Sequence, residues 1–346
     1  MKRCLSFHSP ETMGIETNCS FRFQRIYAKI GTWKDFHCIF LRTESCVWCD
    51  ICACDASKGM DFKMTFLSLE EIDRLIKEDV PYIDLTSWSL GIREQTGRIA
   101  YFTREDCVVC GTEEVGMVFE RLNIKTEKIV PSGKQIKAGE EMISGTGRGC
   151  DLNMAWKVGQ NILDNCSGIA TKTYEVVQKV KSVNPDISVL TTRKGFPGTK
   201  TLATKAIMTG GAMPHRLGLS ETVLIFKHHI DYIGGFDTLI AKTPELKIEC
   251  LEKNILVETS NFEEARQLCI AGVDGIQFEK LSVDELADNV VKLKSDFPHI
   301  ILLATGGVNE DNAADYAKTG IDGIVTTSLY NAKPIDIGVD IKVLQS

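Results

Sequence analysis

Basic, acidic and glycine-turn groups follow one another at the ends of short apolar runs in the second half of this 346-residue chain. Arg193 and Lys194 end one run, and Lys227, His228 and His229 end another. Glu258 and Glu279 close two more, Thr305-Gly306-Gly307 the next, and Thr326-Thr327-Ser328 the last. Guanidinium groups grip carboxylates and phosphates through paired hydrogen bonds, so Arg193 and Arg216 suit an anionic ligand. Gly306 and Gly307 can turn backbone N–H groups toward a phosphate ahead of the following helix. Glu258 and Glu279 offer the hard oxygens that Mg²⁺ takes, an ion often shared with substrate phosphates. Taken singly, each group has an ordinary alternative. A double glycine makes a tight turn, Glu279 caps the next helix, His228 and His229 are surface imidazoles, and Arg193 with Lys194 is a solvated pair. Their convergence on one rim is what marks a site.

The elements that must hold these groups have a regular rhythm. Apolar runs at 187–192, 223–227, 255–259, 275–279, 300–304 and 323–327 alternate with helical patterns such as 261–271, 283–297 and 310–318. Strands at this spacing, each followed by a helix, imply parallel βαβ units. Six of them predict a barrel or near-barrel, whose working groups sit at the carboxyl ends of the strands. No G-x-G-x-x-G follows the first run, which speaks against a dinucleotide-binding sheet. Upstream the texture is α+β. Ser68 caps a predicted helix, 98–103 reads as a strand, 111–122 as a second helix, and 128–143 as short strands broken by glycine turns. A long helix is predicted from about 152 to 166.

Composition narrows the function classes. A net charge of −7 argues against bulk nucleic-acid binding. No apolar run approaches the roughly 20 residues of a membrane span. The start has basic residues with no apolar core behind them, a poor signal peptide, so a cytoplasmic location is expected. Of 13 cysteines, seven precede Met64. The cluster Cys46, Cys49, Cys52, Cys54 is dense enough for zinc or an iron–sulfur cluster, but its last pair is too close for common ligand spacing. Residues 1–63 read instead as an extra segment, either disordered or the product of a start codon assigned too early.

Several motifs occur together in order. They are Ser167-Gly-Ile-Ala-Thr171, Thr192-Arg-Lys194 with Pro197-Gly198, His215-Arg-Leu-Gly-Leu219 and Ala304-Thr-Gly-Gly-Val308. This set resembles the quinolinate phosphoribosyltransferase (nicotinate-nucleotide pyrophosphorylase) superfamily from about Met64 to the C-terminus. The resemblance implies an α/β-sandwich domain at 64–169, an incomplete parallel α/β barrel at 170–327, and a tail at 328–346 that returns to the first domain. It implies a glycosyltransferase reaction, in which ribose-5-phosphate passes from phosphoribosyl pyrophosphate to a ring nitrogen, with Mg²⁺ organising the pyrophosphate. By position, Glu258 and Glu279 match the family's two acidic residues. Arg193, Lys194, His215 and Arg216 match its carboxylate-binding cations. Thr305, Gly306 and Gly307, with Thr326, Thr327 and Ser328, match its ribose-phosphate loops. A homodimer with shared active sites is also implied.

The departures bear on the acceptor. Lys157 stands where the family has an arginine that reaches the neighbouring subunit's site. The substrate-binding lysine is shifted by one to Lys227, leaving Phe226 in its place, and a one-residue shift reverses the face of a strand. Glu279 replaces an aspartate, and Thr327 a glycine. Two softened cationic contacts weaken recognition of a dicarboxylate, since lysine cannot reproduce a paired arginine grip. These changes, with Trp156-Lys157-Val, Phe196-Pro-Gly-Thr-Lys200, Leu219-Ser-Glu-Thr and Ala332-Lys-Pro-Ile-Asp336, resemble the ModD branch, which is associated with molybdenum transport. Two rivals remain. One is a true quinolinate phosphoribosyltransferase of NAD biosynthesis, and the other a non-catalytic anion-binding regulatory protein. Both carboxylates favour an enzyme, because an anion binder gains nothing from negative charge beside its ligand.

Overall fold

The computed structural model describes residues 67–344. The cysteine cluster and the extra segment 1–63 lie outside the described residues. Helix α1 (Leu69–Asp79) opens with a capping box. Ser68 Oγ accepts from the Glu71 N–H at 3.2 Å, and a Glu71 carboxylate oxygen accepts from the Ser68 N–H at 2.8 Å. There follow α2 (Leu85–Ser89), β1 (Thr96–Thr103), β2 (Cys107–Val108), α3 (Thr112–Arg121), β3 (Lys125–Ile129), β4 (Gln135–Ile136) and β5 (Glu141–Arg148). The long helix α4 spans Gly149–Val183.

The expected end of α4 near residue 166 is corrected by 17 residues, since the helix runs on to Val183. The Ser167–Thr171 motif lies inside it and grips backbone. Ser167 Oγ accepts from the Cys110 N–H at 3.1 Å and donates to the Cys110 carbonyl at 3.2 Å. Thr171 Oγ accepts from the Val108 N–H at 2.9 Å. Small polar residues are weak helix formers, and here tertiary contacts override that weakness. Gly168 has a packing reason, because a Cβ there would overlap the Lys333 carbonyl oxygen where the returning chain crosses α4.

The second half comprises β6 (Ser188–Thr191), α5 (Lys200–Thr209), β7 (Met213–Pro214), β8 (Val223–Ile225), α6 (Lys227–Tyr232) and α7 (Phe236–Glu249). It continues through β9 (Ile255–Thr259), α8 (Phe262–Ala271), β10 (Gly275–Glu279), α9 (Val283–Asp296), β11 (Ile301–Thr305), α10 (Ala313–Ala317) and β12 (Gly323–Thr326). A 3₁₀ turn, Ser328–Asn331, leads to β13 (Ile337–Val343).

Two main sheets result. An antiparallel sheet has the order β13-β1-β5-β3, with β13 pairing β1 from Gly97↔Val343 to Thr103↔Ile337. The other is an open, curled sheet of seven strands in the order β7-β6-β12-β11-β10-β9-β8, every neighbouring pair parallel. This is the incomplete parallel barrel expected from the strand rhythm, with the two-residue β7 added at one edge.

Side chains alternate across the parallel sheet as strand geometry requires. Val189, Ile225, Val257, Ile276, Phe278, Leu302 and Ile324 face outward into the main core beneath the helices. Leu190, Leu224, Leu256, Leu303 and Val325 pack together on the inner face. A buried ion network ties the two halves of the chain together. Lys205 on α5, 2% exposed, places its amine 2.8 Å from Glu113 and 2.6 Å from Glu114 on α3.

Candidate active site

Above the apolar floor of the half-barrel, the next inward residues are polar. Leu190 is followed on its face by Thr192, Leu256 by Glu258, and Leu303 by Thr305, while Gln277 and Glu279 share the face of β10. Of these, Thr192, Glu258, Gln277 and Thr305 border a cavity of about 180 Å³. It is lined by Thr192, Arg193, Lys194, His215 and Arg216 from the ends of β6 and β7, by Thr305, Gln277 and Glu258 from β11, β10 and β9, and by Phe226 beyond β8, over Leu224 and Val325. Of the strand-end groups named from the sequence, Arg193, Lys194, Glu258 and Thr305 line this cavity together with His215, Arg216 and Phe226, while Glu279, the Gly306-Gly307 turn and Thr326 to Ser328 do not.

Backbone ties hold the cationic wall. The His215 N–H donates to the Thr191 carbonyl at 2.9 Å, so β7 carries His215 and Arg216 to the end of β6. The Lys194 N–H donates to Thr192 Oγ at 3.2 Å, and Thr192 and Thr327 share a hydroxyl bond of 2.8 Å. Among the described residues Arg193, Lys194 and Arg216 form no ion pair. Arg216 is 9% exposed, and its only protein acceptor among the described residues is the Thr222 carbonyl at 3.4 Å. Burial and the neighbouring Arg193 hold the Arg216 guanidinium below its ordinary pKa. Burial and Arg216 likewise lower His215. Cations crowded without carboxylate partners form a preorganised anion site.

The wall from β9 and β10 is acidic. Burial raises the pKa of Glu258, and Glu279 raises it further against the lowering effect of a 2.5 Å hydrogen bond from Gln277. Glu279 lies beside Glu258 but is paired with Lys280 at 2.8 Å and does not border the cavity itself. Two neighbouring carboxylates suit a divalent cation held jointly with a phosphorylated ligand. Among the described residues no cluster of three or more His, Cys, Asp or Glu side chains exists to cage a metal without such a ligand.

The turn after β11 needs its glycines. Gly306 has φ +84°, and a Cβ there would lie 2.6 Å from Lys280 Cγ. Gly307 also has positive φ, and its carbonyl accepts from Asn312 Nδ2 at 3.0 Å. Thr326 is turned the other way. Its hydroxyl is buried, donates to the Val308 carbonyl at 2.6 Å and accepts from the Ser328 N–H at 3.0 Å. Thr326 thus shapes the loop, while Thr327 and Ser328 lie nearer the rim.

Two predicted site residues stand elsewhere. Lys227 is the first residue of α6, with its side chain 86% exposed and paired with Asp231 at 2.8 Å. Strand β8 ends at Ile225, so Phe226 still packs on the inner face with Leu224 while Lys227 opens α6 at the surface. Lys157 lies on the surface of α4, bonded to Gln160 at 2.9 Å and placed over the Trp156 ring at 4.7 Å. It lines no part of this cavity. The residue-by-residue reading missed Thr192 and Gln277. A signal for Gln277 existed: a lone amide in an apolar strand, two residues before Glu279 and so on its face.

A half-barrel whose strand ends gather a carboxylate and guanidinium groups without ion-pair partners among the described residues has a layout suited to an anionic ligand. Residues 84–167 match the family model for the quinolinate phosphoribosyl transferase N-terminal domain, and residues 169–340 that for its C-terminal domain. The chain belongs to the quinolinate phosphoribosyl transferase family. It is 33% identical over 279 residues to a putative pyrophosphorylase ModD of Pasteurella multocida, covering 81% of this chain and 99% of that one. It is 35% identical over 246 residues to the protein of that name from Rhodobacter capsulatus, covering 71% and 94%. A probable carboxylating nicotinate-nucleotide pyrophosphorylase of Methanocaldococcus jannaschii is 29% identical over 280 residues, covering 79% and 97%. Among solved structures, the nicotinate-nucleotide pyrophosphorylase of Ehrlichia chaffeensis superposes with a TM-score of 0.73 at 28% identity, covering 81% of this chain and all of that one.

Proposed function

We propose that this protein is a phosphoribosyltransferase of the ModD type. It transfers ribose-5-phosphate from phosphoribosyl pyrophosphate to a ring nitrogen of a small heterocyclic acid and releases pyrophosphate. The observation that supports this reading most is that Arg193 and Arg216, without an ion-pair partner among the described residues, line one cavity with Glu258. At about 180 Å³ that cavity suits a single small ring. It falls below the roughly 300–1,000 Å³ of a drug-sized pocket.

The proposed roles follow from charge. Arg193 and Arg216 hold the acceptor's carboxylate and thereby aim its ring nitrogen, with Lys194 and His215 adding positive potential. Phe226 offers a flat apolar contact where a second cation would favour a dicarboxylate. As the bond to pyrophosphate lengthens, the ribose gains oxocarbenium character, and Glu258 stabilises the developing positive charge. Thr305, Gly306, Gly307, Thr327 and Ser328 bind the ribose phosphate. Mg²⁺, held through Glu258 and Glu279, would neutralise pyrophosphate charge. The proposed working unit is a homodimer in which Lys157 serves the neighbouring subunit's site. The association with molybdenum transport comes from resemblance to the ModD branch alone.

Pyrophosphate release from phosphoribosyl pyrophosphate with Mg²⁺ tests the reading, using nicotinate, quinolinate and related heterocyclic acids as acceptors. Release that depends on an acceptor is expected, with quinolinate a poor one. Turnover of quinolinate at ordinary enzyme rates would make the protein a true quinolinate enzyme. Binding with no release for any acceptor would make it an anion-binding protein.

A further inference from the structure

Gln277 is a polar wall of the cavity that the proposed reaction leaves without a task. It sits on β10, only 4% exposed, and still lines the cavity. Its Nε2 donates to Glu258 Oε2 at 2.5 Å. An ionised carboxylate only accepts hydrogen bonds, so this contact fixes which end of the amide faces Glu258. The other end, Oε1, is buried and has no hydrogen-bond partner among the described residues. Turning the amide over would set that oxygen against the carboxylate, so the side chain has one orientation.

The cavity is polarised in the same sense. Arg193, Lys194 and Arg216 supply donors only, from the ends of β6 and β7. Glu258 supplies acceptors from β9, the Gln277 side chain with its unpartnered Oε1 borders the same wall from β10, and Phe226 supplies an apolar face. A ligand complementary to all three is a flat ring with an anionic group at one end and a hydrogen-bond donor at the other. Quinolinate at neutral pH has a ring nitrogen and two carboxylates, all acceptors, and would leave the Gln277 oxygen unmatched. Buried groups left unmatched in this way are what make a site reject an analogue lacking the partner.

We infer that Gln277 determines acceptor specificity: the acceptor ring carries an N–H, amino or hydroxyl donor to Gln277 Oε1 in addition to the carboxylate held by Arg193 and Arg216. The inference rests on the phosphoribosyl-transfer reading for the identity of the site, but its test reads binding. A ribose hydroxyl is the competing source of a donor.

Titration calorimetry with the full chain, without phosphoribosyl pyrophosphate so that no turnover adds to the heat, would compare nicotinate with its amino-substituted derivatives. The wild type should bind at least one aminonicotinate about ten-fold more tightly than nicotinate, as one added hydrogen bond to a buried acceptor implies. Gln277→Met, close in volume and without the amide, should bind the two alike. Equal affinities in the wild type overturn the inference, as does failure of every aminated acid to bind. A preference that survives in Gln277→Met also overturns it. Weakened binding of phosphoribosyl pyrophosphate in that variant, with acceptor preference unchanged, assigns the oxygen to the ribose instead. Loss of pyrophosphate release with the binding preference intact would count against the transfer reading alone.

Discussion

Lys205→Met should destabilise the fold by about 3–5 kcal/mol, the usual cost of removing one partner from a buried ion pair. The network shows where that cost arises. Glu113 retains partners without Lys205, because its carboxylate accepts from the Ser132 N–H at 2.8 Å and from Ser132 Oγ at 2.5 Å. Glu114 does not, since its two oxygens lie 2.8 and 2.6 Å from Lys205 Nζ and meet no other donor among the described residues. Methionine would therefore strand a fully buried carboxylate. Replacing Glu114 by glutamine in the same chain removes that charge and should recover more than half of the loss. The assay is urea unfolding at pH 7, followed by far-UV circular dichroism, for wild type, single and double variants. The pH dependence also has a fixed sign. Burial alone would depress Lys205, but Glu114 and Glu113 outweigh it and raise its pKa. Its contribution is therefore whole below the unfolded value of about 10.4 and is lost as pH rises through the folded one. Glu113, lowered by Lys205 and Ser132 against burial, contributes above its unfolded value and loses that contribution as pH falls through the folded one. A single variant with the wild-type midpoint, or a double variant no more stable than the single, would refute this account.

Three further outcomes are expected. Arg216→Ala should raise KM for the acceptor by about 10- to 150-fold, the value of a charge-assisted bond, while Lys227→Ala, an exposed control, leaves KM unmoved; equal effects in steady-state kinetics would misplace the anion site. Glu258→Gln should lower kcat by about 100-fold, with a smaller change in phosphoribosyl pyrophosphate affinity. An unchanged kcat would remove its role. Asp164, half-buried on α4, has its pKa pushed up to about 6, chiefly by burial. Its folded form holds a proton more tightly, so it costs stability as pH rises from its unfolded pKa through the folded value. Asp164→Asn should therefore raise the melting temperature at pH 7.5 and not at pH 4, a gain of about 1 kcal/mol after allowing for solvent screening. Equal shifts at both pH values would contradict that cause.

Much of the scaffold is a local matter of pattern. Ser68 and Glu71 carry the start of α1 within four residues. The runs at 255–259 and 275–279 coincide with β9 and β10, because β-branched and aromatic residues between turn signals leave little else open. The carboxyl-end placement of Arg193, Glu258 and Gly306 also follows from order along the chain, since every parallel strand in such a barrel ends on the same rim. The inward face of Phe226 follows from parity with Leu224.

Contacts between residues distant in the chain were settled elsewhere. Period two says that Gln277 and Glu279 share a face, but only the pairing Gln277↔Glu258 places the amide against that carboxylate. Lys205 reads as a lysine in an ordinary helix, and burial beside Glu113 and Glu114, some 90 residues earlier, is what makes it an internal cation. Gly168 looks like a helix breaker until Lys333 crosses above it. Local pattern specifies which elements form and which way each side chain faces. Which faces meet depends on burying apolar surface across the whole chain, a non-local free energy that no short window of residues contains.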